Sequence, residues 1–456
     1  MNALLVSALW GVIMMFSGVA IKRMNVVRYV AMAGVAILIG LNVAEMKGWH
    51  LLAIDTTGML AFDHYALLFN STLLLAVFIY LVLSGSAMER IGAHCADYLA
   101  LLFFIICGLL MVSAFESLLI LFLGIEIITI PLYILTGSDK KNLKSNEASL
   151  KYFLLGAFSS GILLMGIALI YGARGSFALS GVADTIRVSN SLMLSGMLLL
   201  LIAMSFKVSA APFHFWTPDV YDGAPTVFTS FMATVVKVAV FAAFVRLFDR
   251  SFALQINAWQ AWVAALAALT LFMGNITAVF QQSVKRMLSY SSIAQAGFML
   301  LAVFAMNTTA KEGLLLYAAT YSLATIGIFA VLIRMKDYSF EAFNGLASRY
   351  PWVAAALTIF FLSLAGIPLT GGFLAKFYMI KAALEQSVWL VLFSLVMAAV
   401  SVFYYFRVIQ AMYFKPVGQT DPITFDPGFT RLLIGVAVLL IVLGLFPQLL
   451  IGQLYF

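Results

Sequence analysis

Charge is scarce in this chain: 10% of its 456 residues are Asp, Glu, Lys or Arg, against 64% hydrophobic residues and a mean hydropathy of +1.07. A soluble globular domain carries about a quarter charged residues, so this composition excludes one. Cysteine is scarcer still. Cys95 and Cys107 are the only two, too few for an iron–sulfur cluster held by four thiolates. The four histidines, His50, His64, His94 and His214, all fall outside the middle of a long apolar run, where an axial haem ligand would be expected. No glycine-rich phosphate loop follows a strand pattern. Any redox or nucleotide chemistry therefore belongs to a partner.

Apolar runs fill the chain instead. About fourteen approach the 20 residues needed to cross a hydrocarbon core roughly 30 Å thick. They lie near 3–21, 27–45, 65–85, 96–113, 116–136, 147–172, 191–211, 224–247, 256–275, 286–306, 312–333, 350–380 with an interruption, 387–413 and 431–453. The pattern predicts an all-α polytopic membrane protein of about fourteen transmembrane helices. The longest loops, near 46–64, 173–190, 334–349 and 414–430, are too short for a soluble domain.

The first run has no basic region before it and is followed by Lys22 and Arg23, the wrong charge order for a cleaved secretory signal. It reads as a retained helix with its N-terminus outside. The positive-inside rule tests that choice. On this topology sixteen cations collect on the inward side: Lys22, Arg23, Arg28, Arg90, Lys140, Lys141, Lys144, Lys151, Lys285, Arg286, Arg334, Lys336, Arg349, Arg407, Lys415 and Arg431. The outward side receives seven: Lys47, Arg174, Arg187, Arg246, Arg250, Lys311 and Lys381. Both ends are then outside, and the net charge of +7 reflects topology in a bilayer rather than a nucleic-acid patch.

Three lysines are left that no loop can take: Lys207, Lys237 and Lys376. Among the 19 acids only Glu126 is similarly stranded. A lone lysine at the bilayer centre costs about 2.5 to 3.5 kcal/mol on insertion scales, and such residues mark ion pathways by default. Lys207 ends a long apolar run that then meets Pro212, Pro218 and Pro225 in the stretch LIAMSFKVSAAPFHFWTPDVYDGAPT, residues 201–226. Proline frees backbone carbonyls, which in lipid must be satisfied by protein or by water in a cavity. Lys376 follows a second break at Gly366, Pro368, Gly371 and Gly372, and Glu126 precedes Pro131 by five residues. Three lysines cannot all be statically paired with one glutamate. A lysine drawn toward Glu126 holds its proton and one drawn away releases it, as a switchable carrier would. The structural alternatives are ion pairs that merely hold helices together, or lysines bonded to broken-helix carbonyls. His214, in PFHFWTPD, is either a proton relay or a polar residue satisfying loop backbone.

The broken runs are the seventh and the twelfth, five spans apart. A five-helix unit has an odd count, so its copy enters the membrane from the opposite side, and discontinuous helices mark the ion path in transporters built this way. The expected organisation is three N-terminal helices in 1–95, a first inverted repeat of helices 4 to 8 in 96–250, a second of helices 9 to 13 in 251–415, and helix 14 in 416–456.

The stretches LFLGIEIITIPLYIL (121–135), SNEASLKYFLLGAFSSGILLMGIALIYGARGSF (145–177), SFKVSAAPFHFWTPDVYDGAPT (205–226), SVKRMLSYSSIAQAGFML (283–300) and LSLAGIPLTGGFLAKFYMI (362–380) resemble the antiporter-like subunits of respiratory complex I, the proton-pumping NADH:quinone oxidoreductase. Lys376 departs from the subunit M branch, which carries glutamate there. The end at Phe456, soon after the fourteenth run, departs from the subunit L branch with its long lateral helix. The chain looks like the remaining branch.

The resemblance implies a proton-translocating subunit of a bacterial inner membrane with no cofactor of its own. Flavin, iron–sulfur clusters, NADH and quinone are then expected in partner subunits. It implies M-like and small K- or J-like neighbours on the two sides and the lateral helix of an L-like partner alongside. Glu126 and Lys207 match the input pair, Lys237 the connecting lysine and Lys376 the output lysine. Where the family usually has a histidine on helix ten, this chain has Gln295, which carries no charge near neutral pH but can order water. Two other functions remain open: a subunit of a multisubunit sodium or potassium/proton antiporter or membrane-bound hydrogenase, and a structural membrane-arm subunit without a proton path.

Overall fold

The computed structural model describes residues 1–21, 23–49, 56–92, 95–179, 191–417 and 424–455. Lys22, His50, His94 and Arg187 lie outside the described residues. The helices that build the bundle are α1 (Asn2–Ala20), α2 (Met24–Met46), α3 (His64–Ser84), α4 (Cys95–Ala114), α5 (Leu118–Thr136) and α6 (Leu143–Arg174). Next come α7 (Ser191–Lys207), α8 (Trp216–Gly223), α9 (Thr226–Ser251), α10 (Ile256–Val279), α11 (Val284–Ala305) and α12 (Thr308–Leu332). The last are α13 (Pro351–Ala365), α14 (Gly371–Leu384), α15 (Val388–Phe414) and α16 (Pro427–Leu445). Twelve helices among the described residues are long and apolar enough to cross a membrane. The pairs α7/α8 and α13/α14 supply the two interrupted passages, in the seventh and twelfth positions that proline and glycine marked.

Two sets of helices, α4 to α9 and α10 to α15, have corresponding neighbours. α4 packs on α5 and on α9, and α6 on α5, α7 and α8; correspondingly α10 packs on α11 and α15, and α12 on α11, α13 and α14. A finer feature also recurs. The Leu118 N–H, at the start of α5, donates to Phe177 O at 2.9 Å, just beyond α6; the Val284 N–H, at the start of α11, donates to Tyr338 O at 2.7 Å, just beyond α12. Each helix follows a serine cap, Ser117 and Ser283, whose hydroxyl accepts from the first turn. Close helix approach rests on small residues, as is usual between apolar helices. A Cβ on Gly108 of α4 would lie 2.8 Å from the Gly124 carbonyl of α5, so that crossing admits only glycine.

Burial is graded across the bundle. α9 is enclosed almost throughout, as are α11 and α12, while α1, α2, α6, α15 and α16 expose apolar side chains such as Phe16, Phe158, Trp389 and Phe403. Met1 pairs with Glu45 at the end of α2, and His64 at the start of α3 meets the Gln453 carbonyl, so both termini lie at one end of the bundle. At the opposite end Lys151, Asp219 and Arg286 meet, joining the start of α6, α8 and the start of α11.

Candidate functional site

Lys207 is the last residue of α7, where unsatisfied carbonyls give a helix end a partial negative charge that favours a cation. The chain then turns through Ser209, in the left-handed region at φ 64°, before α8 begins. Local groups take up the freed polar atoms. Trp216 Nε1 donates to Phe206 O at 3.2 Å, and the Ala211 N–H donates to Thr270 Oγ1 of α10 at 2.9 Å. Lys207 Nζ reaches across to α6 and donates to Ser160 Oγ at 3.0 Å. Ser160 Oγ in turn donates to Glu126 Oε1 of α5 at 2.5 Å. Glu126 and Lys207 are thus brought together through a serine hydroxyl rather than directly, a link that sequence reasoning missed because serines are common on these helices.

Lys237 follows a π-helical turn over Met232–Val236 inside α9. Such turns re-aim side chains and recur at functional sites. The lysine is 2% exposed, and its Nζ donates to the carbonyl and the hydroxyl of Ser292 on α11, each at 3.0 Å, with the Tyr221 ring 5.7 Å away. Among the described residues no carboxylate bonds to it. One turn further along α11, Gln295 Nε2 donates to Leu364 O at 3.0 Å and to Tyr405 Oη at 2.9 Å. Its Oε1 accepts from the Tyr317 hydroxyl. These partners fix the amide's orientation, since the Leu364 carbonyl can only accept.

That same carbonyl takes a second bond. Lys376 Nζ, 4% exposed, donates to Leu364 O at 2.6 Å and to Ala365 O at 3.5 Å, the last carbonyls of α13, and lies 4.3 Å from the Phe298 ring centre. Gly366 ends α13 at φ +83° and Leu369 follows at φ 74°, so the break exposes these carbonyls to the lysine. Two hydrogen-bonded sets, Lys237 with Ser292 and Lys376 with Gln295 through the Leu364 carbonyl, consequently lie one turn apart on α11.

Several expectations need correction. Pro131 does not break its helix: α5 continues through it to Thr136, as membrane helices often do when neighbouring groups re-satisfy the backbone. Gly371 and Gly372 lie in the first turn of α14 rather than in the break, and a Cβ on Gly372 would overlap the Ser363 carbonyl, so their role is close packing. His214 sits in the first break, and among the described residues its buried Nδ1 has no hydrogen-bond partner, so both of its expected roles remain open.

The division of charge between loops and interior also missed two cations. Lys285 is 3% exposed, and its Nζ donates to Asp222 O at 2.7 Å and Ala224 O at 2.8 Å, the carbonyls that close α8. Arg246 is buried at the other end, with Asp63 at 2.8 Å and Glu116 at 2.5 Å. The partners, carbonyls for Lys285 and acids for Arg246, come from distant segments, so no local signal announced either burial. Beside Lys285, a polar cavity of about 210 Å³ is lined by Lys144, Glu147, Lys151, Asp219, Asp222 and Arg286. Among the described residues no group of three His, Cys, Asp or Glu could hold a metal ion.

Comparison with known proteins bears on what these groups do. Residues 116–401 match the family described as NADH:quinone oxidoreductase/Mrp antiporter, TM. The NADH-quinone oxidoreductase subunit N of Trichlorobacter lovleyi is 39% identical over 398 residues, covering 85% of this chain and 82% of the relative. That of Flavobacterium psychrophilum is 35% identical over 456 residues, covering 98% and 99%. Among solved structures, a chain of respiratory complex I from Thermus thermophilus with bound aureothin superposes with a TM-score of 0.85 at 31% identity, covering 99% of both chains.

Proposed function

This chain belongs to the NADH:quinone oxidoreductase/Mrp antiporter family of transmembrane subunits, its similar relatives being subunit N, and from that premise we propose that it moves protons across a bacterial inner membrane within NADH:quinone oxidoreductase. The redox chemistry belongs to other subunits, which hold flavin, iron–sulfur clusters, NADH and quinone. The single observation that carries the proposal is a pair of buried lysines set one turn apart along α11, Lys237 on Ser292 and Lys376 sharing Leu364 O with Gln295, with no carboxylate bonded to either among the described residues.

In this reading Glu126 and Lys207 are the input, Lys237 the middle and Lys376 the output. Quinone reduction next door changes the field at Glu126, Lys207 gives up its proton toward Lys237, and Lys376 releases one outside. The sites act as a coupled set. The matching neighbour patterns of the two five-helix units support inverted repeats over 96–250 and 251–415. The shared end of both termini supports an even number of crossings, with the lysine-rich opposite end in the cytoplasm. The exposed apolar faces of the outer helices suit M-like and small K- or J-like neighbours, an L-like lateral helix, and lipid.

The test is Lys207→Met in the assembled complex, reading NADH:quinone turnover and acidification of inverted vesicles together. Intact assembly with both rates lowered is the expected result. Wild-type rates in an intact complex would refute the proposal. An ion-selective antiporter wants several oxygen ligands at one place, and a dependence of transport on sodium would instead favour that member of the family.

A further inference from the structure

Many hydroxyls on the spanning helices turn back onto their own backbone. Ser113 donates to Leu110 O at 2.9 Å, Thr129 to Ile125 O at 3.0 Å, Thr136 to Leu132 O at 2.7 Å and Ser401 to Ala398 O at 2.6 Å. This is the default for serine and threonine inside a helix. Ser160 departs from it. Its buried hydroxyl leaves the α6 backbone and stands between the Lys207 ammonium and the Glu126 carboxylate. An ammonium offers only donors and an ionised carboxylate only acceptors, so the serine proton must point to Glu126 and a serine lone pair to Lys207.

We propose that Ser160 is a proton relay that lets the Glu126–Lys207 pair exchange its charges. In the step, the Lys207 Nζ–H bond breaks as a new bond to that hydrogen forms at Ser160 Oγ. The original Ser160 Oγ–H bond breaks as its proton joins Glu126 Oε1. A charged lysine and a charged glutamate become a neutral amine and a neutral acid, and the serine ends as it began. No other reactant is required. Neither side chain has to swing into direct contact for the input pair to change its charge, the hydroxyl sets the rate of that change, and the reverse step recharges Lys207 before its proton passes toward Lys237. Among the described residues, buried Ser205 Oγ on α7, two residues before Lys207, and Ser159 Oγ beside Ser160 have no hydrogen-bond partner. Neither hydroxyl is tied into a competing bond with the relay.

The relay rests on the function proposed above, and the experiment separates the two. Ser160→Ala, Ser160→Gly and Ser160→Thr are compared with Lys207→Met and Glu126→Gln in assembled complex. Turnover and vesicle acidification are measured across pH, together with the redox-induced infrared band of a protonated carboxylic acid, assigned by its loss in Glu126→Gln. Deleting the hydroxyl should lower turnover by about tenfold, the low side of what a positioned proton-transfer group contributes, and remove the band. Threonine should retain both. The glycine variant guards against a packing fault peculiar to alanine. If Lys207→Met slows the complex while Ser160→Ala and Ser160→Gly run at the wild-type rate with the band intact, the relay alone is wrong. A Ser160→Thr complex as slow as Ser160→Ala also overturns it, since packing then matters and not the hydroxyl. If Lys207→Met runs at the wild-type rate, both proposals fall.

Discussion

Lys285 and Lys376 both donate to backbone carbonyls at a helix end, yet their surroundings differ. Lys285 closes α8 near the charged end of the bundle, where it binds Asp222 O and Ala224 O. Lys376 sits in the second break and shares its carbonyl with Gln295. Lys285→Met should therefore act on stability, because it orphans two carbonyls at about 1 to 3 kcal/mol each. A lowered thermal midpoint of the assembled complex, with turnover per surviving complex unchanged, is the expected result. Lys237→Met should do the reverse, leaving the midpoint near wild type and lowering turnover and acidification together. Sequence reasoning singled out Glu126, Lys207, Lys237 and Lys376 as candidates because a charge inside an apolar run is conspicuous by type alone. It missed Ser160, which is distinguished only by what faces it from α5 and α7. Lys285 escaped because it lies beside Arg286 at the edge of its run, and which of the two turns inward is a matter of packing.

Breaks are legible as elements when proline and glycine cluster, which is how the interruptions after Lys207 and before Lys376 were anticipated. A single proline is ambiguous, and Pro131 proved compatible with an unbroken α5. The π turn before Lys237 left no mark, because Met232–Val236 is ordinary apolar sequence and the extra residue is absorbed by packing. Glycine spacing gives a test at this scale. Gly372→Ala puts a methyl group onto the Ser363 carbonyl, backbone that cannot move aside, whereas Gly161→Ala on α6 meets nothing within 4 Å. Overpacking of this kind costs about 1 to 3 kcal/mol. The first variant should lower the yield of assembled complex on native gels, and the second should match wild type.

At the scale of the molecule, two charged clusters hold the ends of the bundle. Arg246 of α9 ties Asp63 before α3 to Glu116 before α5, and its Nε also donates to Phe115 O at 2.8 Å. Removing one partner of a buried pair costs about 3 to 5 kcal/mol, so Arg246→Gln should cut the amount of assembled complex, measured in membranes against a subunit that assembles independently. The helix count and the crossing order were readable from hydropathy. The depth of α9 was not, since an apolar run looks the same whether it faces lipid or protein. That depth bears on how the subunit behaves when idle. With α9 enclosed by its neighbours, Lys237 is shielded by protein on every side. On the proton path proposed above, backflow driven by the membrane voltage takes the same groups as forward flow, Lys237, Gln295 and Lys376, so passive leak and working flux would share one bottleneck.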